Sequence, residues 1–258
     1  MIQKKFWQKE EIVLLRRMST FFRYCLLIIF IIISSIVNAQ VQNTGWLASF
    51  NTFKLSNKTS LHFDAQLRST DEIKNIQTVL LRPGLNYHLN PFMLATAGYG
   101  FIENRRTMQE VTGYVTEHRI WEQFIVSHKI NTISTAHRFR LEQRFLPITA
   151  IENNRLQIID RNTSHRFRYF IRNIVPLQNR NAFSQGLFFA LQDEVFLNIA
   201  KQEAVNGKTF DQNRLYLALG YRLPGKIDIE AGYMNQYTST RTSFINNHIA
   251  QLALYKRL

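Results

Sequence analysis

Cysteine is almost absent from this chain: Cys25 stands alone among 258 residues, inside an N-terminal apolar run. One cysteine forms no internal disulfide and no thiolate metal cluster. The seven histidines are scattered without metal-ligand spacing, and the chain is expected to carry no cofactor. Acidic residues are in short supply, 18 against 32 Lys and Arg. Beyond residue 40 there is no apolar stretch approaching the ~20 residues of a membrane-spanning helix. If the chain crosses a bilayer, it does so with strands.

What is present begins with a targeting segment. Lys4, Lys5, Lys9, Arg16, Arg17 and Arg23 precede an apolar run from about Phe21 to Val37, and Val37-Asn38-Ala39 offers a signal-peptidase site. This divides the chain into a signal peptide, 1–39, and a mature domain, 40–258. Met18 is an alternative start that would leave a signal of ordinary length. An inner-membrane anchor asks for a longer run, and Cys25 lacks the small neighbours of a lipidation site. In the mature domain Lys and Arg still outnumber Asp and Glu, 26 to 16. A cytosolic protein with that balance would suggest nucleic acid. Secretion excludes nucleic acid and leaves anionic lipids, acidic saccharides or other small anions.

Residues 137–145 read His-Arg-Phe-Arg-Leu-Glu-Gln-Arg-Phe. Successive side chains of a strand point to opposite faces. Phe139, Leu141 and Phe145 therefore share one face, and Arg138, Arg140, Glu142 and Arg144 share the other. The same alternation recurs in segments near 46–55, 61–68, 76–88, 93–102, 116–129, 163–175, 183–198, 212–222, 227–237 and 245–258. Many of these exceed the ~5–6 residues of an average soluble strand and meet the ~9–11 of a tilted spanning strand. Short turns rich in Asn, Pro and Gly alternate with polar connections at 103–113, 146–162, 199–211 and 238–244. The fold class is thus all-β, an antiparallel transmembrane meander barrel of the Gram-negative outer membrane with a polar, Arg-rich lumen. Eleven segments are visible, whereas single-chain bacterial barrels have even numbers; about twelve strands are expected, with ten as the alternative.

A charge at the lipid midplane costs ~2–4 kcal/mol, so the apolar sets face lipid: Phe167, Tyr169 and Ile171; Leu187, Phe189 and Leu191; Leu215, Leu217 and Leu219. The luminal network is then Arg68, Arg82, Glu117, Arg119, Arg138, Arg140, Glu142, Arg144, Arg166, Arg168, Glu194 and Arg214. Gly98, Gly100, Gly220 and Gly232 supply gaps where long arginines can lie. Glu122 breaks the pattern by falling with Ile120 and Phe124, and a β-bulge would restore it. Arginine binds carboxylates through a planar fork and stays ionised. Two readings remain open: a structural or ligand-binding barrel filled by an Arg/Glu network, and a passive anion-preferring channel for small acidic solutes.

Catalysis is not expected, although some outer-membrane barrels are lipid hydrolases or acyltransferases. Ser127-His128 and Ser164-His165 are strand neighbours and point to opposite faces. His62 and Asp64 share the luminal face, without a serine beside them.

Several segments carry a resemblance over essentially the whole mature chain. They are Trp46 at the first hairpin, Leu81-Arg82-Pro83-Gly84-Leu85-Asn86-Tyr87, Ala97-Gly98-Tyr99-Gly100-Phe101, Glu117 to Phe124, His137 to Phe145, Asn213-Arg214-Leu215-Tyr216 and Gly232-Tyr233-Met234-Asn235-Gln236. Together they resemble domain of unknown function 2490, a family of outer-membrane barrels. The resemblance implies location and architecture and supplies no activity. Expected partners are outer-membrane lipids and the barrel insertion machinery, with small anions as ligands. One departure stands out: the chain ends Tyr255-Lys256-Arg257-Leu258 rather than on an aromatic residue.

Overall fold

Alternating residues draw out eleven strands. The structure is a computed structural model describing residues 39–178 and 183–257. Apart from Ala39, the expected signal segment lies outside the described residues. The strands are β1 (Ala39–Lys54), β2 (Thr59–Ser69), β3 (Ile76–Asn90), β4 (Met93–Met108), β5 (Val111–Ile130), β6 (Ile133–Glu152), β7 (Arg155–Pro176), β8 (Gly186–Ala200), β9 (Phe210–Leu223), β10 (Ile227–Ser239) and β11 (Phe244–Arg257). Each pairs antiparallel with its neighbours in sequence, and β1 meets β11 to close the barrel.

Eleven falls between the expected twelve and the alternative ten, and among the described residues no twelfth strand is present. An odd meander brings its first and last strands together pointing the same way. Contacts across the seam follow that direction. Thr44 Oγ1 donates to Asn247 Oδ1 at 3.0 Å, and Phe50 stacks on Tyr255 with ring centroids 4.7 Å apart. Parallel pairing satisfies both edges, so closure does not require an even count.

Two expected loops prove to be strand. Residues 103–113 and 146–162 continue the ladders of β4–β5 and β6–β7 up to two-residue turns. Asn153 and Asn154 both take positive φ, 50° and 58°, the requirement of a tight primed hairpin turn. These segments are polar because they stand beyond the apolar belt, where both faces meet water. The difference between the two ends of the barrel is therefore one of hairpin height as well as loop length.

Outside, Leu215, Leu219, Leu252 and Ile229 are 43, 53, 56 and 50% exposed. A continuous apolar surface of this kind belongs in lipid. The bulge sought near Glu122 is absent: β5 runs in unbroken register against both β4 and β6. Glu122 therefore faces outward, exposed and opposite Leu141. Replacing it by leucine is expected to stabilise the folded barrel by roughly 1–2 kcal/mol. Urea unfolding from lipid vesicles reads this directly, and an unchanged midpoint would place Glu122 in water instead.

Inside, the glycines hold aromatic rings more than arginines. A Cβ on Gly84 would lie 2.8 Å from Trp121 Cη2, and one on Gly98 would overlap the same indole and sit 2.6 Å from the Pro83 carbonyl oxygen. Gly220 faces the Phe188 ring and Gly232 the Tyr216 ring in the same way. Gly100 alone of the expected set leaves room for arginine, with Arg82 Cγ at 3.5 Å and Arg119 Cβ at 3.4 Å. Trp46, Phe188, Ala190, Tyr216, Ala218, Met234 and Ile249 form an apolar cluster on one side of the lumen. The Gly98→Ala variant is expected to lose about 1–3 kcal/mol through overpacking. Gly113→Ala, whose Cβ would meet only Leu156 at 3.6 Å, should leave the unfolding midpoint where it is.

Candidate luminal charge network

β5 to β9 each turn at least one charged residue inward among their alternate inward positions, and their registers bring these side chains level. Arg119 lies opposite Arg144, Arg140 opposite Arg168, Glu142 opposite Arg166 and Glu194 opposite Arg214. Four arginines surround Glu142. Its carboxylate accepts from Arg166 NH2 at 2.6 Å and Arg168 NH1 at 2.5 Å, while Arg140 and Arg119 approach to 3.7 and 3.8 Å. Glu117 accepts from Arg119 at 2.7 Å and Arg144 at 2.8 Å. Glu194 accepts from Arg138 and Arg168, both at 2.7 Å. Arg82 holds Asp64 at 2.9 Å through its Nε.

Burial decides what the network does to the lumen. Arg140 and Glu142 are each 1% exposed. A side chain on the wall of a water-filled pore keeps surface in contact with water, and these keep almost none. Aromatic rings pack on the network: Arg140 lies 4.5 Å over Trp121, Arg138 4.2 Å over Phe170, and Arg168 4.3 Å over Phe196. Cation–π contacts of this kind contribute about 0.5–2 kcal/mol.

Two of the expected luminal arginines stand outside the ion pairs. Among the described residues Arg68 and Arg214 have no carboxylate within 4.0 Å. Arg68 NH2 donates to Gln66 Oε1 at 2.7 Å, and Arg214 Nε is buried without a partner. Arg214 lines a cavity of about 240 Å³ in the half of the lumen nearer the short turns, and Arg68 packs on Trp46, another residue of its lining. Arg82, Arg138, Arg168, Arg172 and Glu194 also face this vestibule.

Some members of the site were not anticipated. Asp211, which accepts from Arg166 at 2.7 Å, fell in a stretch expected to be loop. Asp228 accepts from Arg222 and Arg257, each at 2.7 Å, and Glu230 accepts from Arg172. Both acids alternate with Ile227, Ile229 and Ala231, so the period-two signal for them was already in the chain. Gln123, an uncharged residue, is the hydrogen-bonding partner of Arg140 at 2.6 Å. His62 and Asp64 do meet, at 3.3 Å, with Asp64 already held by Arg82. A Ser–His contact appears elsewhere, Ser60 Oγ to His88 Nε2 at 2.9 Å, at the end of a chain through Asn86 and Thr96 to Gln123. Ser60 is 2% exposed, which leaves its hydroxyl inaccessible to substrate.

Comparison with known proteins gives three findings. The family profile described as Protein of unknown function (DUF2490) matches residues 43–247. An uncharacterized protein of Methylorubrum extorquens is 25% identical over 198 residues, covering 75% of this chain and 78% of the relative. Among solved structures, the NanC porin in a rhombohedral crystal form aligns with a TM-score of 0.45 at 11% identity, covering 79% of this chain and 92% of the porin chain.

Proposed function

This chain belongs to the family described as Protein of unknown function (DUF2490), and we propose that it is a closed outer-membrane barrel that binds small anions in a luminal vestibule. The observation carrying this reading is the burial of Arg140 and Glu142: the ionic network fills the cross-section toward the tall hairpins. The vestibule remains open below it, with arginine in excess of carboxylate. The apolar outer belt and the expected signal segment support the outer membrane as its location.

Excess luminal arginine also favours a second reading, a passive anion-preferring channel. Planar-bilayer recording of the refolded protein separates the two. The closed barrel gives no single-channel steps, whereas steps with anion preference would replace it by the channel. Retention in the outer-membrane fraction after alkaline washing tests the location.

A further inference from the structure

The lumen and the bilayer-facing surface meet at one place, beside Trp46. The β1–β2 ladder runs from Lys54↔Ser60 to Trp46↔Arg68 and stops there. Beyond it β1 is held by side chains: Gly45 N donates to Ser69 Oγ at 2.8 Å, and Asn43 N to Asp71 Oδ1 at 2.7 Å. Outside this parting lies a cavity of about 680 Å³, floored by the small residues Gly45, Ala231 and Ala250 and walled by Leu252. That volume falls within the roughly 300–1,000 Å³ of small-molecule sites. Ile73 overhangs its upper end, with Cδ1 3.4 Å from where a Gly45 side chain would begin.

Four residues of the luminal alternation, Trp46, Arg68, Gly232 and Gln251, also line this outer groove. Trp46 and Gln251 line the vestibule as well. The wall here is one side chain thick. Both unpaired guanidinium groups sit at the junction, Arg68 at 4.0 Å and Arg214 at 5.0 Å from the Trp46 ring. The buried Arg214, whose Nε has no partner, and the half-buried Arg68 have no carboxylate within bonding distance, an arrangement that is costly, and an anion placed beside them relieves that cost. A chain attached to the anion would find an apolar groove opening directly onto lipid.

We infer that this junction binds a single-chain amphiphile with an anionic head, the head between Arg68 and Arg214 and the tail in the outer groove. The inference rests on the closed-vestibule reading, since an open pore would pass small anions with no use for a tail. It names the ligand class of that same site.

Quenching of Trp46 fluorescence tests it. The full chain in nonionic micelles is titrated with 2-bromoundecanoate, whose bromine sits beside the carboxylate and quenches indole at short range. The controls are neutral 2-bromoundecanol and the tail-less 2-bromopropionate. Saturable quenching is expected with bromoundecanoate only, disappearing in Trp46→Phe. Arg214→Gln and Arg68→Gln should each weaken it about tenfold, and Arg214→Lys should retain most of it. Ala250→Phe fills the groove from the lipid side without touching the lumen, and should weaken bromoundecanoate binding too. Equal quenching by the alcohol, quenching that persists in Trp46→Phe, or saturation by bromopropionate alone would each overturn the proposal. Wild-type conductance steps would instead overturn the closed lumen, whereas absent steps with no saturable quenching would overturn the amphiphile alone.

Discussion

Replacing Glu142 by glutamine is expected to cost the barrel about 3–5 kcal/mol, the penalty of removing one partner from a buried ion network. Arg166 and Arg168 bond Glu142 directly, and Arg140 and Arg119 stand within 3.8 Å of it. Glutamine keeps the shape and one acceptor oxygen, so the loss reports charge rather than volume. Four guanidinium groups would then face one another in a space that admits no water. Urea unfolding from lipid vesicles should show an earlier midpoint, and the folded band on unheated gels should be lost at a lower temperature. Glu72→Gln breaks the exposed pair with Lys74 and should change neither measurement, because surface pairs contribute little. If Glu142→Gln behaved like Glu72→Gln, water would be reaching Glu142, and the closed lumen would be wrong.

The contrast between these two carboxylates also shows what could be read from the chain. Alternation placed Phe139 and Leu141 outward and Arg138 and Arg140 inward, because a charge in lipid costs more than any local propensity can return. That asymmetry is local and holds along the spanning strands with exceptions such as Glu122, so it survives in sequence. Pairing across strands is a different matter. Which carboxylate meets Arg166 depends on the registers of β7 with β6 and of β9 with β8, and neither leaves a trace in residue order. Arg140 illustrates the limit: its bonded partner is the neutral Gln123, which no search for opposite charge would select. The glycines were legible as gaps, while their occupants Trp121, Phe188 and Tyr216 come from neighbouring strands. Polar hairpins were read as loops because, above the bilayer, neither face of a strand must be apolar. Glu122 is the reverse case: the pattern placed it outward, and the unbroken register of β5 keeps it there.

Removing the plug should convert a silent barrel into an anion-selective one. Glu117→Ala, Glu142→Ala, Arg144→Ala and Arg166→Ala together delete two acids and two bases, so the net luminal charge is unchanged. The variant leaves Arg119 and Arg140 without a carboxylate partner and Asp211 without Arg166; water admitted by the four truncations hydrates these charges, and a lower unfolding midpoint is expected beside the conductance. The four truncations open the cross-section around Arg119, Arg140 and Arg168. Below it the vestibule already presents Arg82, Arg138, Arg172 and Arg214. The path from the tall hairpins to the short turns would then be lined mainly by fixed positive charge, and such rings of arginine admit anions in preference to cations. Planar bilayers should show single-channel steps absent from the wild type. A salt gradient should give a reversal potential on the anion side, and adding Arg82→Ala and Arg138→Ala should reduce that preference. A folded quadruple variant that stays silent would place the occlusion in the aromatic packing around Trp121 and Phe188. Cation preference would mean that the remaining carboxylates, Glu194 and Asp211 foremost, control the lumen instead of the arginines.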